Sequence, residues 1–338
     1  MIATQYEGSK QFSVVEKESV APSEGEVQIK VAYCGVCVTD VHIYHGNMDN
    51  RVEMPITIGH EMSGVVSDIG KGVNDYKIGD KVVVRPLDDR GLQPSDKGYG
   101  HICKNLKFIG IDSPGAMQQY WSVPEFVLHR LPEHSDLKLA ALVEPLAVAC
   151  HDVRRSRLKK DETVVVLGGG PIGLLIAMVS KSFGANVIIS EVNTVRVELA
   201  YKLGFDVVNP SQSDLTTHVA SKTADKLADV VFEVAGVQQT VDTMTEVAGI
   251  RNRIVMVAIH PQNKEVDLFK MFWKELELIG ARVYEQEDYE KAIQLIAKNE
   301  LPFKEIITAV EPLTAIQRVF ETIDQNPYGM KVLLDCQL

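Results

Sequence analysis

The sequence lacks any apolar run of the length needed to cross a membrane, which is about 20 residues. Its first ten residues, MIATQYEGSK, also lack the basic segment followed by an apolar segment that is typical of a secretory leader. These two absences favour a protein of the cytoplasm.

Cysteine and positive charge are also scarce. The 338 residues include five cysteines, spread from Cys34 to Cys336, which are too few and too dispersed for a disulfide framework. Basic residues number 35 against 46 acidic ones, and the net charge of −11 opposes binding to nucleic acid or to an anionic membrane. The expected partner is therefore a small molecule.

The pattern of apolar residues changes near Asp161. The first 80 residues contain β-branched runs broken by glycine, such as EVQIKVAYCG, which predict a compact β domain. From Asp161 onward, ETVVVLGGGPIGLLIAMVSKSFGANVIISEV alternates short apolar strands with an apolar helix, as parallel strands with crossover helices do. We therefore predict an α/β protein with a β domain over 1–150 and 287–338 and a doubly wound parallel-sheet domain over 151–286.

A glycine-rich turn in the second domain matches G-x-G-x-x-G. Gly168, Gly170 and Gly173 follow a predicted strand and precede a predicted helix, with Pro171 and Ile172 between the last two glycines. The first glycine allows a tight turn, the second lets the backbone approach a pyrophosphate, and the third allows close helix packing. The turn predicts a dinucleotide site, although a plain glycine-rich turn would share the pattern.

An acidic residue after the next strand indicates which dinucleotide is bound. Glu191 ends NVIISE, 18 residues after Gly173, where a carboxylate accepts hydrogen bonds from the adenine-ribose hydroxyls and repels a 2′-phosphate. This favours NAD over NADP. Arg196 is close enough in sequence to take part in cofactor binding, or it faces solvent.

Three separated segments offer metal ligands: CGVCVTDVH, GHEMSG and LVEPLAVACH. Together they supply thiolate, imidazole and carboxylate groups, a mixed set that suits zinc. Catalytic zinc uses about three protein ligands and keeps one position open for water or substrate. A reducing compartment disfavours the other interpretation, a redox pair of Cys34 and Cys37.

Five segments in this order, GVCVTDVH, GHEMSGVVSDIGKGVNDYKIGDKV, EPLAV, GGGPIG and FEVAG, resemble the zinc-dependent medium-chain alcohol dehydrogenases. The resemblance covers essentially the whole chain, and the second segment is the complete G-H-E-x-x-G-x5-G-x2-V zinc signature of that family. EPLAV is similar to the polyol branch and to 2,3-butanediol dehydrogenases. The resemblance implies a GroES-like catalytic domain, a Rossmann cofactor domain, and a homodimer or homotetramer.

The resemblance also implies the zinc ligands. Cys37 would supply the thiolate and His60 the imidazole. Glu61 and Glu144 would supply carboxylates, one binding directly and the other through water or in alternation. Cys34 is expected to pack in the interior.

The same resemblance implies how protons move. Asp40 would orient the histidine ligand. Thr39 would take the proton of the alcohol and pass it through the ribose hydroxyls to His42, while zinc lowers the pKa of the alcohol and the nicotinamide accepts the hydride.

The sequence departs from the family at the usual structural zinc site. Where C-x2-C-x2-C-x7-C is expected, the chain has Asp89, Leu92, Ser95 and Cys103. One thiolate cannot form a closed tetrahedral site. We therefore predict one catalytic zinc and no structural zinc, with the lobe held by ordinary packing or mobile.

Taken together, the motifs predict hydride transfer between NAD and a secondary alcohol. The expected substrate class is a polyol, a sugar alcohol with or without a phosphate, a sugar acid or a vicinal diol. Threonine dehydrogenase is an alternative, because TDVHIY also resembles that enzyme. An alternative of another class is a non-catalytic NAD-binding or sensing protein, for which a damaged metal site would be expected.

Overall fold

The computed structural model describes residues 1–326 and 329–338. The chain divides into two compact units, which we call unit 1 (Met1–Pro145 with Glu285–Leu338) and unit 2 (Leu146–Tyr284). The corresponding boundaries predicted from the sequence lie after residues 150 and 286, a few residues later than in the structure. The first division in the structure falls within a continuous helix, Val143–Arg155, where no turn residue marks it.

The strands and helices form in the order expected for a β domain followed by alternating strands and helices. The strands are β1 (Ile2–Gly8), β2 (Gln11–Glu16), β3 (Glu26–Gly35), β4 (Glu61–Ile69), β5 (Lys81–Val84), β6 (Leu87–Asp88), β7 (Lys107–Phe108), β8 (Tyr120–Pro124), β9 (Leu128–Arg130), β10 (Thr163–Leu167), β11 (Asn186–Ser190), β12 (Asp206–Val208), β13 (Ala228–Glu233), β14 (Ala248–Met256), β15 (Glu277–Gly280), β16 (Ile307–Pro312) and β17 (Lys331–Asp335). The α-helices are α1 (Val38–Tyr44), α2 (Leu137–Ala140), α3 (Val143–Arg155), α4 (Pro171–Ser182), α5 (Thr194–Lys202), α6 (Leu215–Thr223), α7 (Gln238–Val247), α8 (Leu268–Trp273), α9 (Gln286–Lys298) and α10 (Ile316–Gln325). Within residues 1–326 and 329–338, helices are too short or too polar to cross a bilayer.

Unit 1 is built on a sheet with the strand order β16-β17-β3-β4-β5-β9, to which β8 adds by pairing with β3. The antiparallel pairing of β3 with β4 puts Gly35 opposite Glu61, and the pairing of β17 with β3 puts Leu333 opposite Gly35. The end of β3 and the start of β4 therefore meet beside β17, which is distant from both in sequence.

Unit 2 is a parallel sheet with the order β12-β11-β10-β13-β14-β15. The chain runs outward from β10 to β12 and then returns to place β13 beside β10, so the sheet is doubly wound. Val164, Val165 and Val166 of β10 are fully buried, as expected for a central strand that is covered on both faces. The prediction of a β domain with a doubly wound parallel-sheet domain is confirmed.

The lobe that lacks the structural-zinc cysteines is held by hydrogen bonds. The Asp96 carboxylate accepts one from the backbone N–H of Gln93 at 2.7 Å and another from that of Lys104 at 3.2 Å. The Asn105 side chain donates to the carbonyl of Gly91 at 3.2 Å. Hydrogen bonds between protein groups therefore link the two arms of the lobe.

One buried cation fixes the start of the unit 2 sheet. Arg253 on β14 is 9% exposed, and its guanidinium donates to the carbonyls of Ser156 and Arg157 at 2.8 and 2.9 Å and to Glu162 at 2.6 Å. This guanidinium therefore joins one carboxylate and two backbone carbonyls at a nearly buried position.

We expect Arg253→Ala to lower the free energy of unfolding by about 3 kcal/mol, because it removes the cation paired with the partly buried Glu162 and the donor to two backbone carbonyls. Arg251→Ala is the matched control, since the pair of Arg251 with Glu275 is exposed on both sides and contributes at most about 1 kcal/mol. Urea unfolding of both variants measures the difference. Equal shifts in the two midpoints would contradict the role given to Arg253.

Candidate active site

Three predicted ligands form a close group in unit 1. One ligand atom each from Cys37, His60 and Glu61 lies within 4.8 Å of the others. Cys37 caps the start of α1 just after β3, His60 directly precedes β4, and Glu61 is the first residue of β4. His60 and Glu61 are buried and Cys37 is partly accessible, so the group is open on the side of the thiol.

Asp40 holds two members of this group. One oxygen of its fully buried carboxylate accepts a hydrogen bond from the backbone N–H of Cys37 at 2.8 Å, and the other lies 3.5 Å from Nδ1 of His60. That second oxygen and Nδ1 have no other hydrogen-bond partner among the described residues. Because Nδ1 faces Asp40, Nε2 of His60 is the nitrogen available to a metal.

The electrostatics of His60 favour a proton when no metal is bound. Burial lowers the pKa of its imidazole, but Asp40 and Cys37 outweigh burial and raise the pKa well above the ordinary value. A metal ion that binds His60 must displace this proton. Acid therefore opposes metal binding at this site.

Lys331 on β17 was not predicted as a site residue. Its ammonium group donates to both carboxylate oxygens of Glu61 at 2.8 and 2.7 Å and to the carbonyl of Val36 at 3.1 Å. Lys331 and Glu61 are 4% and 1% exposed, so the pair is buried. Gly35 makes room for this carboxylate, because a Cβ at that position would lie 2.3 Å from Oε2 of Glu61. A lysine in the last strand carries no local signal that could have revealed this pairing.

Glu144 lies outside the close ligand group but within electrostatic reach of Lys331. It is 5% exposed and is the second residue of α3. Burial lowers the pKa of Lys331, whereas Glu61, Cys37 and Glu144 raise it, and the net direction is upward. One lysine therefore interacts with both candidate carboxylate ligands.

The two predicted relay residues lie one turn apart on α1. Thr39 is partly buried and His42 is exposed, and their i, i+3 spacing puts them on the same face of the helix. Nδ1 of His42 lies 3.4 Å from the side-chain amide of Asn47.

Cys34 is fully buried in β3, and burial raises the pKa of its thiol well above the ordinary value. It lies outside the ligand group.

The glycine turn of unit 2 has the shape that the motif predicts. Gly168 has a φ of +113°, Gly170 caps α4, and Pro171 and Ile172 are the first two residues of that helix. Gly173 is fixed by close packing, because a Cβ there would lie 1.8 Å from the carbonyl oxygen of Gly168. The start of α4 is therefore open to an anion.

Glu191 is held rigidly beside this turn. One of its oxygens accepts from the backbone N–H of Gly169 at 2.8 Å, and the other accepts from those of Val192 and Asn193, also at 2.8 Å. Arg196 lies near the same carboxylate, with 3.9 Å between its Nη1 and Oε2 of Glu191. An acidic and a basic group therefore both stand at the predicted adenine-ribose position.

Both sites fit the groups that the motifs imply. A thiolate, an imidazole and a carboxylate in close proximity, with a second buried carboxylate behind the imidazole, form a donor set suited to catalytic zinc. The glycine backbone at the start of α4 and the fixed carboxylate of Glu191 form a cradle suited to a dinucleotide.

Comparison with known proteins agrees with this geometry. Residues 23–133 match the family model described as the alcohol dehydrogenase GroES-like domain, and residues 171–298 match the one described as zinc-binding dehydrogenase. A protein of Pseudoalteromonas atlantica named 2-dehydro-3-deoxy-L-galactonate 5-dehydrogenase is 56% identical over 99% of both chains.

Solved structures of dehydrogenases also match nearly the whole chain. The 2R,3R-butanediol dehydrogenase of Bacillus subtilis matches with a TM-score of 0.91 and 29% identity over 99% of each chain. A putative zinc-binding dehydrogenase of Sinorhizobium meliloti, solved with NADP, matches with a TM-score of 0.92 and 30% identity over 99% of this chain and 98% of that one.

The fold, the donor set and these similarities identify a dehydrogenase built from a GroES-like and a Rossmann domain. The chain belongs to the zinc-dependent medium-chain alcohol dehydrogenase family. The predictions of the family, the fold class and a zinc-dependent oxidoreductase are confirmed. A nicotinamide cofactor is supported, because a neighbour of this fold was solved with NADP.

We expect Asp40→Asn to weaken zinc binding by about 10- to 100-fold. An asparagine still offers one oxygen to the N–H of Cys37, but its amide group no longer attracts the ring N–H of His60. Competition with a chromophoric chelator measures the affinity. Asp80→Asn is the control, since Asp80 is a similarly buried carboxylate paired with Arg130 at 3.0 Å elsewhere in unit 1. Equal zinc affinity in the Asp40 variant and the wild type would contradict this role.

Proposed function

We propose that this protein oxidises a secondary hydroxyl group of a sugar acid with NAD as hydride acceptor, and reduces the corresponding ketone in reverse. The observation that carries the reaction class is the close group of Cys37, His60 and Glu61 in a chain that also has a dinucleotide turn. The sugar acid is supported by the relative from P. atlantica, whose name gives that substrate class and which is 56% identical along the whole chain.

The proposed zinc ligands are Cys37, His60 and the two carboxylates. Bound zinc would act as a Lewis acid toward the substrate oxygen and lower the pKa of the alcohol. Both oxygens of Glu61 are already held by Lys331, so direct metal binding by Glu61 competes with that ion pair. We therefore assign Glu144 as the carboxylate ligand at rest and Glu61 as the alternate.

Thr39 and His42 are the proposed proton carriers. Thr39 lies two residues after the thiolate ligand and can accept the proton of the alcohol, and His42 lies one turn further along the same helix face. The exposure of His42 allows it to release the proton to water. This order runs from the metal group outward, as a relay requires.

The proposed cofactor preference is NAD. The carboxylate of Glu191 is fixed by three backbone N–H groups at the position of the adenine ribose, where it repels a 2′-phosphate. Arg196 supplies the opposite charge nearby, and its distance of 3.9 Å from Glu191 keeps that charge partly neutralised.

We also propose a single zinc per chain, because the lobe around Cys103 has protein hydrogen bonds in place of a thiolate set.

A substrate panel tests the proposed function. With zinc-loaded protein, we expect NAD reduction to be fastest with 2-dehydro-3-deoxy-L-galactonate, with a kcat/KM about 100-fold above that for sorbitol, 2,3-butanediol or threonine. NADP should support slower turnover than NAD. Metal analysis should give one zinc per chain. Preference for threonine, or dinucleotide binding without turnover of any substrate, would reject the proposal in favour of the corresponding alternative.

Two variants separate the metal from the relay. Cys37→Ser should lose zinc and turnover but keep NADH binding, because the dinucleotide turn lies in the other unit. Thr39→Ala should keep its zinc while kcat falls about 100-fold, the usual contribution of general acid–base catalysis. Full activity in either variant would remove that residue from the site.

We propose that the protein assembles as a homodimer or homotetramer through α8 and the edge strand β15 of unit 2. Four of the six side chains of α8 are apolar and exposed over about 70% of their surface: Leu268, Phe269, Phe272 and Trp273. Leu278 on β15 is also exposed, and β15 has one unpaired edge in the sheet of this chain. Such a surface is typical of a subunit interface.

Light scattering after size exclusion tests this assembly. We expect the wild type to have the mass of two or four chains, and Phe269→Glu with Phe272→Glu to reduce the mass to that of a smaller species. Tyr201→Glu is the control, because Tyr201 is equally exposed on α5. A monomeric wild type would contradict the proposed assembly.

We further propose a cytoplasmic location. Each of the five cysteines is a free thiol, and Cys37 must remain reduced to bind metal.

A further inference from the structure

A buried carboxylate in unit 2 lies outside the chemistry described above. Glu233 is the last residue of β13 and is fully buried. Its Oε1 accepts hydrogen bonds from the backbone N–H of Gly236 at 2.8 Å and from the hydroxyl of Thr240 at 2.6 Å. Its Oε2 lacks a hydrogen-bond partner among the described residues. A buried carboxylate oxygen without a donor is costly, so its nearest neighbour is important.

That neighbour is His260, in the segment that follows β14. Nε2 of His260 lies 3.2 Å from Oε2 of Glu233, which is ion-pair distance, although the two atoms are not aligned as a hydrogen bond. A small rotation of the imidazole ring would align them. The side chain of His260 is 18% exposed, so it has little contact with water.

Backbone contacts bring the segments after β13 and β14 together at the same place. The carbonyl of Glu233 accepts from the N–H groups of Val257 and Ala258 at 3.0 and 3.1 Å. A Cβ on Gly236 would lie 3.3 Å from that of Ala258, so these segments are in close contact. The His260–Glu233 pair adds a side-chain link between the two segments.

These segments adjoin the dinucleotide turn. A Cβ on Gly168 would lie 3.2 Å from the backbone nitrogen of Ala235, which follows β13. In a doubly wound sheet the dinucleotide lies across the carboxyl ends of the strands, with its two halves on either side of the switch point. Glu191 marks the adenine half beyond β11, so the ends of β13 and β14 belong to the nicotinamide half. Ile259 is 83% exposed there and is available to a ligand.

We propose that His260 is a positioning residue for the nicotinamide half of the cofactor. By binding Oε2 of Glu233, it fixes the segment 257–260 against the segment 234–236 and so orders the surface on which the nicotinamide lies. The inference rests on the proposed use of a nicotinamide dinucleotide. It concerns side chains that the glycine-turn motif does not include.

The test compares a ligand that has both halves with one that has only the adenine half. We expect His260→Ala to raise the Kd for NADH about tenfold, because loss of the pair with Glu233 leaves the segment 257–260 less ordered, while the Kd for ADP stays unchanged. His260→Gln should restore binding to within about twofold, because its amide N–H can reach the same carboxylate. Fluorescence titration and calorimetry measure the two affinities without any catalytic turnover.

His218→Ala is the matched control. His218 also pairs with a carboxylate of unit 2, that of Asp206 at 3.0 Å, but Asp206 is at the amino end of β12. This variant should bind NADH and ADP as the wild type does. In steady-state kinetics, His260→Ala should raise KM for the cofactor more than it lowers kcat.

Each outcome decides the inference. Equal loss of NADH and ADP binding in His260→Ala would show a general structural defect and overturn it, as would unchanged NADH binding. A double variant with Glu233→Gln and His260→Ala gives a second measurement. If the two residues act as a pair, the double variant should bind NADH no more weakly than the weaker-binding single variant. If the wild type bound ADP but neither NADH nor NADPH, the proposed function would fail first and this inference with it.

Discussion

The buried ion pair of Lys331 and Glu61 constrains the whole arrangement of the metal-binding unit. Two charges removed from water are tolerated only when each finds a partner, and removal of one partner leaves an uncompensated charge that costs several kcal/mol. Lys331 stands at the start of β17 and Glu61 at the start of β4, with β3 between them. The pair can form only in this strand register and only if residue 35 is small enough to leave space for the carboxylate of Glu61. It also restricts the position of Cys37, which follows β3.

The same local arrangement recurs at the candidate functional positions of both units. Carboxylates are buried at or near strand and helix ends, where backbone N–H groups lack partners, and each is fixed by at least one of these groups. Asp40 accepts from Cys37, Glu191 from Gly169, and Glu233 from Gly236. A fixed carboxylate loses little entropy when it binds or orients another group, so such residues suit both metal and cofactor sites.

The lobe around Cys103 has hydrogen bonds between protein groups at the place where a structural zinc is usual in the family. Asp96 and Asn105 link segments that a structural zinc would otherwise hold. These bonds are exposed and individually weak, but they connect both arms of the lobe. The sequence predicts that a structural zinc is absent because the chain lacks three of the four cysteines, whereas these hydrogen bonds became visible only in the structure.

The sequence by itself determined the fold class and predicted the dinucleotide turn and the order of the metal-ligand segments. It could do so because these features depend on local patterns: apolar periodicity, glycine spacing, and ligand types at fixed offsets. The tertiary structure alone decided that Lys331 neutralises Glu61 and that His260 faces Glu233. These contacts join strand ends and loops that are distant in sequence or separated by intervening elements, and the pairing of buried charges becomes defined only when sheet register brings them together.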